Sequence, residues 1–246
     1  MTTATADRTH VVIALDFPEP NEAERFLSLW RDREKPFVKV GMQLFYAAGP
    51  RWVASLVETG YSVFLDLKLH DIPHTVAGGI GSLTGLGVDW ITLHAGGGKA
   101  MMEAAKAAAS AAGSRRPRLL AVTQLTSMDR RAMNDELGIP GTVRDAVLRY
   151  ARLAEQAGMD GVVCSGEEAG WIKEKVGRSL MTVTPGIRLN GQRTGDQKRV
   201  MTPEKAVRSG ADHLVVGRPI TRAQHPVEVY EEMVKCVQQT RRENDV

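Results

Sequence analysis

The strongest constraint on the fold is a repeated alternation of apolar, strand-like runs with helix-like stretches. Several of the strand-like runs are almost continuously apolar, which is typical of parallel strands covered on both faces. Eight such runs lie at residues 11–17, 36–42, 62–69, 90–95, 118–125, 161–165, 181–187 and 213–220. The clearest helical stretches are residues 21–32, 51–60, 100–113, 142–158 and 226–244. Eight alternations of this kind predict a closed (β/α)8 barrel.

The length of the chain agrees with one barrel. The sequence has 246 residues, and (β/α)8 barrels commonly have roughly 250. No shift in composition marks a second domain, so we expect a single domain over residues 1–246. A doubly wound open sheet is the alternative, although no GxGxxG pattern follows the first strand-like run.

Composition argues against several classes of partner. The net charge is only +3 and aromatic residues make up 5% of the chain, which gives little support for nucleic-acid binding. Cys164 and Cys236 form no CxxC pair and no histidine cluster has zinc-ligand spacing, so we expect no metal site and a reducing, cytoplasmic setting. There is neither a signal-peptide pattern nor an apolar run of roughly 18 residues, so no membrane contact is expected.

Polar residues collect at the carboxyl ends of the predicted strands. In a (β/α)8 barrel these ends meet at one face, and that face carries the active site. The residues concerned are Asp16, Lys39, Asp66, Lys68, His94, Thr126, Ser127, Arg188, Gly217 and Arg218. Because they come from seven different strands, they predict an active site rather than scattered surface polarity.

The third strand-like run places charges in an otherwise apolar sequence, DLKLHDIPHT. Transferring a lone charge out of water is costly unless it is paired. Residues two apart in a strand share a face, so we expect Asp66 and Lys68 to point together into the barrel mouth. Pro73 disfavours a helix at the residue before it, which places Asp71 in a turn that folds back or reaches another subunit. A structural ion pair at a strand end is the alternative interpretation.

This segment resembles the DxKxxDIPxT signature of the orotidine 5′-phosphate decarboxylase family. The family's other motifs follow in its order and spacing: ALD (14–16), FVKVG (37–41), LTSM (125–128), TPGIR (184–188), GDQKR (195–199) and VVGRPIT (215–221). The resemblance covers the chain from about residue 11 to about residue 221, and the length is similar to that of the stand-alone bacterial form.

The resemblance implies a decarboxylase that converts orotidine 5′-monophosphate to UMP and CO2 in pyrimidine biosynthesis, without a metal or cofactor. Lys68 would donate a proton to C6 of the pyrimidine. Asp66 would lie beside the departing carboxylate and hold Lys68 in place. Lys39 and Asp71 would complete an alternating array of charges, with Asp71 contributed by the partner subunit of a homodimer.

The same resemblance implies a set of substrate contacts. The ribose would be held by Asp16, Lys39 and Thr75, with Thr75 reaching across the dimer interface. The base would lie near Ile72, also from the neighbouring subunit, and its edge would be read by Thr126 and Ser127. The phosphate would be held by Arg188, Gln197, Gly217 and Arg218. The polar loop over residues 188–199 resembles a lid that closes on the phosphate.

Other features carry no assigned chemistry. His70, His74 and His94 are interpreted as packing, surface or orienting residues rather than acid–base groups. The nearest rival function is a phosphosugar decarboxylase or aldolase-type barrel that shares DxKxxD. Such relatives are generally magnesium-dependent and lack the Ile-Pro pair and the LTSM segment. A barrel that only binds nucleotide is a second alternative, although all the expected charged residues are present.

Overall fold

The computed structural model describes residues 10–189 and 200–244, and over these residues eight parallel strands close into a barrel in sequence order. The strands are β1 (Val11–Ala14), β2 (Phe37–Gly41), β3 (Val63–Leu69), β4 (Trp90–His94), β5 (Arg118–Val122), β6 (Gly161–Val163), β7 (Met181–Thr184) and β8 (His213–Val216). Strand β1 pairs with both β2 and β8, which closes the sheet. The barrel prediction is confirmed, and the open-sheet alternative is excluded.

Helices cover the outside of the barrel between successive strands. They are α1 (Pro20–Leu27), α2 (Met42–Ala48), α3 (Pro50–Glu58), α4 (Pro73–Thr84), α5 (Gly98–Ser110), α6 (Val143–Gln156), α7 (Gly166–Lys175), α8 (Pro203–Arg208), α9 (Arg218–Thr221) and α10 (Pro226–Asn244). The five predicted helical stretches are all present. Within the described ranges, no helix is both long and apolar enough to cross a membrane.

Several strands are shorter at their carboxyl ends than the sequence predicts. Strand β1 ends at Ala14 rather than at residue 17, and β8 ends at Val216 rather than at residue 220. The apolar pattern continues past these ends because Leu15 and Ile220 are fully buried although they lie beyond the ends of β1 and β8. The carboxyl ends therefore turn early into loops, and those loops carry the charged residues.

The interior of the barrel is filled mainly at its amino end. Phe37 and Trp90 begin β2 and β4, and their ring centroids lie 4.4 Å apart. Phe64 packs against Trp90 at 5.6 Å, and His213, the first residue of β8, lies 4.9 Å from Trp90. These large side chains close the amino end, whereas the carboxyl end stays open.

Three aspartates tie neighbouring strands together at the amino end. Each follows a glycine by two residues, in GVD, GMD and GAD, and each is the residue directly before an even-numbered strand. Each carboxylate accepts a hydrogen bond from a backbone N–H at or next to the start of the preceding strand. At 2.8 Å the pairs are Asp89 with Val63, Asp160 with Leu119, and Asp212 with Thr182. These bonds fix the register of β3 with β4, β5 with β6 and β7 with β8.

Candidate active site

A cavity of about 550 Å³ opens at the carboxyl ends of the strands. A volume of this size suits a small-molecule ligand. The predicted site residues that line it are Asp16, Lys39, Asp66, Lys68, Thr126, Arg188, Gly217 and Arg218. The barrel therefore brings together residues that are up to about 200 positions apart in the sequence.

Four charged side chains form an alternating row along this cavity. The Lys39 Nζ lies 3.2 Å from Asp16 Oδ1 and 3.5 Å from Asp66 Oδ2. The Lys68 Nζ lies 2.9 Å from Asp66 Oδ1. Two positive and two negative charges balance. Lys39 and Asp66 are the buried members, and their burial is tolerable because each has opposite charges beside it, whereas the Asp16 side chain is 66% exposed.

The two most buried members of the row are held in their charged forms. Burial by itself lowers the pKa of Lys39, but the negative charges of Asp66 and Asp16 outweigh it, and the pKa is raised above its ordinary value. Burial by itself raises the pKa of Asp66, but the positive charges of Lys39 and Lys68 outweigh it, and the pKa is lowered. Both groups are ionised at neutral pH, so the cavity contains a fixed electrostatic field.

The backbone of Lys68 is unusual. Its φ angle is +54°, in the left-handed region that a lysine seldom adopts. In the pairing of β3 with β4, Leu65 lies opposite Ile91 and Leu69 lies opposite Leu93, so four steps on β3 match two on β4. Asp66 and Lys68 both line the cavity as predicted, whereas Leu65 and Leu67 pack in the outer core. A β-bulge at this point of β3 accompanies the contact of Lys68 with Asp66.

Thr92 on β4 secures this bulge. Its hydroxyl oxygen accepts a hydrogen bond of 2.8 Å from the backbone N–H of Lys68 and donates one of 3.0 Å to Asp66 Oδ1. Thr92 is fully buried. The sequence analysis missed it, although a hydroxyl inside the apolar run WITLHA and two residues before His94 was a usable signal.

Two glycines leave room for the charged groups. A Cβ on Gly41 would lie 3.3 Å from Lys39 Nζ, and a Cβ on Gly217 would lie 3.4 Å from Asp16 Oδ2. Because each contact would be tight, the absent side chains let the Lys39 ammonium and the Asp16 carboxylate lie close to the backbone.

The basic residues lie on the loops that follow β7 and β8, where barrels frequently bind phosphate. Arg188 is 9% exposed, and its Nη1 donates a hydrogen bond of 2.8 Å to the Ile187 carbonyl oxygen. Arg218 begins helix α9 directly after Gly217. The predicted contact Gln197, and the predicted lid over residues 188–199 apart from its first two residues, lie outside the described residues.

Four predicted site residues do not line this cavity. Asp71, Ile72 and Thr75 are exposed where the chain leaves β3 and enters α4, and Ile72 is 66% exposed. Asp71 Oδ1 accepts a hydrogen bond of 2.7 Å from the Ile72 backbone N–H. Ser127 is also exposed beside the cavity-lining Thr126.

The histidines near the site pack against one another. The rings of His70 and His94 stack with centroids 5.3 Å apart, and His94 Nδ1 accepts a hydrogen bond of 2.9 Å from the Gly96 backbone N–H. Burial lowers the pKa of His94, and the charges of His70 and Lys68 lower it further. His94 is therefore neutral at pH 7, as suits a packing and orienting role.

Several further lining residues were not predicted as site residues, and two of them are polar or nucleophilic side chains in the buried wall. Gln124, which follows β5, is 5% exposed, and Cys164, which follows β6, is fully buried. The interpretation of Cys164 as a core residue is correct, but its side chain also forms part of the cavity wall.

Over residues 10–189 and 200–244, no group of three or more histidine, cysteine, aspartate or glutamate residues could hold a metal ion.

A closed (β/α)8 barrel with a balanced row of charges at its carboxyl-end cavity, two of them buried, defines a barrel enzyme. Comparison with protein families narrows this class, because the model described as "Orotidine 5'-phosphate decarboxylase / HUMPS family" matches residues 9–233. The chain belongs to that family. The resemblance found in the sequence motifs is thereby confirmed.

Individual relatives agree with the family assignment. The chain is 50% identical over 225 residues to a protein of Bacillus caldolyticus named orotidine 5'-phosphate decarboxylase, covering 90% of this chain and 92% of the relative. It is 49% identical to the protein of the same name from Lactococcus lactis subsp. cremoris (strain SK11), covering 89% and 94%. The crystal structure of orotidine 5'-phosphate decarboxylase from Lactobacillus acidophilus superposes with a TM-score of 0.83 at 40% identity, covering 94% and 99%.

Proposed function

We propose that this protein decarboxylates orotidine 5′-monophosphate to UMP and CO2 without a metal or cofactor, with Lys68 as the proton donor to C6. The observation that carries the proposal is the 2.9 Å contact between Lys68 Nζ and Asp66 Oδ1 at the carboxyl-end cavity. The names of relatives at 49–50% identity support the same activity.

The chemistry requires a strong electrostatic device. When the bond between C6 and the carboxylate breaks, the electron pair stays on C6 in the plane of the ring, where no adjacent π system can delocalise it. A fixed ammonium beside C6 stabilises this developing charge, and preorganised charge in a shielded pocket is far more effective than charge in water. Lys68 then transfers a proton from Nζ to C6, which completes UMP and leaves a neutral amine that solvent reprotonates.

Asp66 has two roles in this proposal. Its carboxylate accepts from Lys68 and from the Thr92 hydroxyl, which fixes the direction of the ammonium. It also lies beside the position of the substrate carboxylate, and repulsion between the two negative groups is relieved when the substrate carboxylate leaves as neutral CO2. Lys39, between Asp66 and Asp16, keeps both carboxylates ionised and available.

The substrate contacts in this proposal come from other lining residues of the cavity, together with Ser127 and Gln197. Asp16 and Lys39 bind the ribose hydroxyls, and Thr126 and Ser127 read the edge of the pyrimidine. Arg188, Gln197, Gly217 and Arg218 bind the phosphate, since guanidinium groups pair well with phosphate oxygens. The row of charges and the arginines line one cavity, as a ligand with a reacting base and a phosphate would require.

We further propose a homodimer in which Asp71, Ile72 and Thr75 complete the site of the neighbouring subunit. Their exposure at the rim of β3 and α4 supports this, because a side chain that serves another subunit must project from its own. A 66% exposed isoleucine also has an apolar surface available for burial at an interface.

The proposed setting is UMP biosynthesis in the cytoplasm. Over the described residues neither Cys164 nor Cys236 forms a disulfide, which is the usual state of cysteines in a reducing compartment.

The direct test is an ultraviolet assay that follows the loss of orotidine 5′-monophosphate absorbance. We expect turnover that is unchanged after prolonged treatment with a chelator, with UMP as the product. A phosphosugar-decarboxylase activity that the chelator abolishes and magnesium restores, without turnover of orotidine 5′-monophosphate, would contradict the proposal and favour the rival function.

A further inference from the structure

A second cavity, here called the amino-end cavity, lies at the end of the barrel opposite the active site. It encloses about 410 Å³ at the amino ends of β5 to β8. Its lining residues are Arg116, Arg118, Asp160, Lys173, Arg178, Ser179, Met181, Asp212, His213 and Arg241. This end of a barrel ordinarily serves stability, so a charged cavity here calls for an explanation.

Positive charge is in excess in the amino-end cavity. Its lining contains five arginines and lysines but only two aspartates, a difference of three charges. Both aspartates already have cationic partners. Asp160 Oδ1 lies 2.8 Å from Arg116 Nη2 and 2.9 Å from Lys106 Nζ, and Asp212 Oδ2 lies 2.6 Å from Lys173 Nζ.

Two arginines in the cavity, Arg118 and Arg178, form no close ion pair within the described ranges, although Arg118 is near enough to the Asp89 carboxylate for its charge to lower the pKa of Asp89 against the effect of burial. Over the residues that the structure describes, no ion pair reaches the guanidinium of Arg118 or Arg178. The Arg118 Nη1 instead lies 3.6 Å from Met181 Sδ, which is a weak acceptor. Arg178 is exposed in the loop between α7 and β7, at the rim of the cavity. Two planar guanidinium groups therefore remain available to an anion from solvent.

The buried His213 lies among these cations. It is 7% exposed, and its Nδ1 accepts a hydrogen bond of 3.0 Å from the His10 backbone N–H, so the neutral ring carries its proton on Nε2. Burial, and then the positive charges of His10, Arg241, Arg118 and Lys173, together lower the pKa of His213 to about 3. A cavity that disfavours one more positive charge is suited to a negative ligand.

We propose that the amino-end cavity binds a compact polyanion of the pyrophosphate class, with Arg118 and Arg178 as its principal ligands. Arginine forks match pairs of phosphate oxygens in geometry and charge. The lining offers Met181 as its only apolar side chain and no aromatic stacking platform, since its one ring, that of His213, packs against His10 and Trp90. The site therefore selects the phosphate groups themselves rather than a nucleobase.

A bound polyanion would stabilise the folded state. It would relieve repulsion between the guanidinium groups and link β5, through Arg118, with the loop before β7, through Arg178. Because a ligand that binds only the native state stabilises it by mass action, pyrophosphate should raise the melting temperature of the full chain.

The test is isothermal titration of the full-length protein with pyrophosphate, with melting curves in parallel. The double variant Arg118→Gln/Arg178→Gln should weaken pyrophosphate binding at least tenfold and remove the thermal shift. The matched control Arg25→Gln/Arg152→Gln loses the same charge from exposed positions outside both cavities and should bind within twofold of wild type. Arg178→Gln alone changes only an exposed loop residue, so it keeps the test valid if the double variant folds poorly, and it should weaken binding at least threefold.

Arg218→Gln separates this site from the active site. Pyrophosphate binding that survives Arg218→Gln and is lost in the double variant supports the amino-end cavity. The proposal is overturned if wild type shows no saturable binding, if Arg218→Gln alone abolishes it, or if the double variant and the control bind equally well.

Discussion

Lys68 Nζ lies 2.9 Å from Asp66 Oδ1 in the cavity, although the backbone at Lys68 is in the left-handed region and β3 is bulged between Leu65 and Leu69. A regular β3 would satisfy its ladder more fully and would not require a lysine at φ +54°. Strained backbone of this kind costs of order 1–3 kcal/mol and clusters at functional sites. The contact between the two charges thus accompanies a local distortion that the surrounding barrel maintains.

Thr92 is predicted to be a positioning residue for this distortion. Thr92→Val keeps the shape of the side chain but removes the hydroxyl that accepts from the Lys68 N–H and donates to Asp66. Leaving a buried group unpaired costs about 1–3 kcal/mol, so kcat should fall roughly tenfold to a hundredfold while KM changes little. Steady-state kinetics measure the split. Thr92→Ser, which retains the hydroxyl, should recover most of the activity, and an unchanged kcat in Thr92→Val would contradict this role.

Asp71 is predicted to act across a dimer interface, and mixed dimers test this. Lys68→Ala and Asp71→Asn should each be nearly inactive alone. In a mixed dimer one of the two sites combines Lys68 from one subunit with Asp71 from the other, so random mixing should restore about a quarter of wild-type activity. Activity is measured after the two variants are unfolded and refolded together. If Asp71 served its own subunit, mixing would restore nothing.

Arg218 is predicted to contribute through phosphate binding in the transition state. Arg218→Ala should lower kcat/KM about a hundredfold, in line with about 1.5–3 kcal/mol for a hydrogen bond to a charged group. Binding energy from the remote phosphate assists the chemical step, so free phosphite dianion should partly restore wild-type turnover of a substrate that lacks its phosphate. Kinetics with and without phosphite provide the measurement, and no activation at any phosphite concentration would count against this coupling.

His213 is predicted to limit stability in acid. Its folded pKa is about 3, whereas an unfolded histidine titrates near roughly 6.5. Between these values only the unfolded chain binds the proton, so stability decreases as pH falls through this window. From pH 7 to pH 4.5 this group alone should remove about 2–3 kcal/mol from the free energy of unfolding.

Urea unfolding of His213→Asn at both pH values tests this expectation. The asparagine retains an acceptor for the His10 backbone N–H, which Nδ1 accepts in wild type. The variant should therefore lose about 2–3 kcal/mol less than wild type on acidification. His225→Asn, at an exposed histidine, should behave like wild type. An equal loss of stability in His213→Asn and wild type would show that His213 is not the group responsible.

The sequence was sufficient to predict the barrel, because eight apolar runs with helices between them have few other solutions. It was also sufficient to predict most of the cavity, because charges at the carboxyl ends of strands converge whenever a parallel barrel closes. Asp16, Lys39, Asp66, Lys68, Arg188 and Arg218 all line one cavity for this reason.

Features that depend on pairing between distant residues were not predictable. The bulge at Lys68 is a matter of register between β3 and β4, and nothing in the local sequence fixes it. Thr92 acquires its role only from that register. The aspartate ties at the amino end also emerge from strand pairing, although the repeated Gly-x-Asp pattern could have drawn attention to them.

The central claim, that the Lys68 ammonium stabilises and protonates C6, is tested most directly by the decarboxylation rate of Lys68→Ala at saturating orotidine 5′-monophosphate. The control Lys99→Ala removes an exposed ammonium that pairs with Glu103 outside the cavity. Removing one preorganised electrostatic group commonly costs about 10²–10³ in kcat, and loss of the proton donor adds to this. We predict that kcat falls at least about a thousandfold in Lys68→Ala. The Lys68→Ala variant should still bind UMP, and Lys99→Ala should be fully active. A Lys68→Ala enzyme that retained kcat within tenfold of wild type would contradict the account.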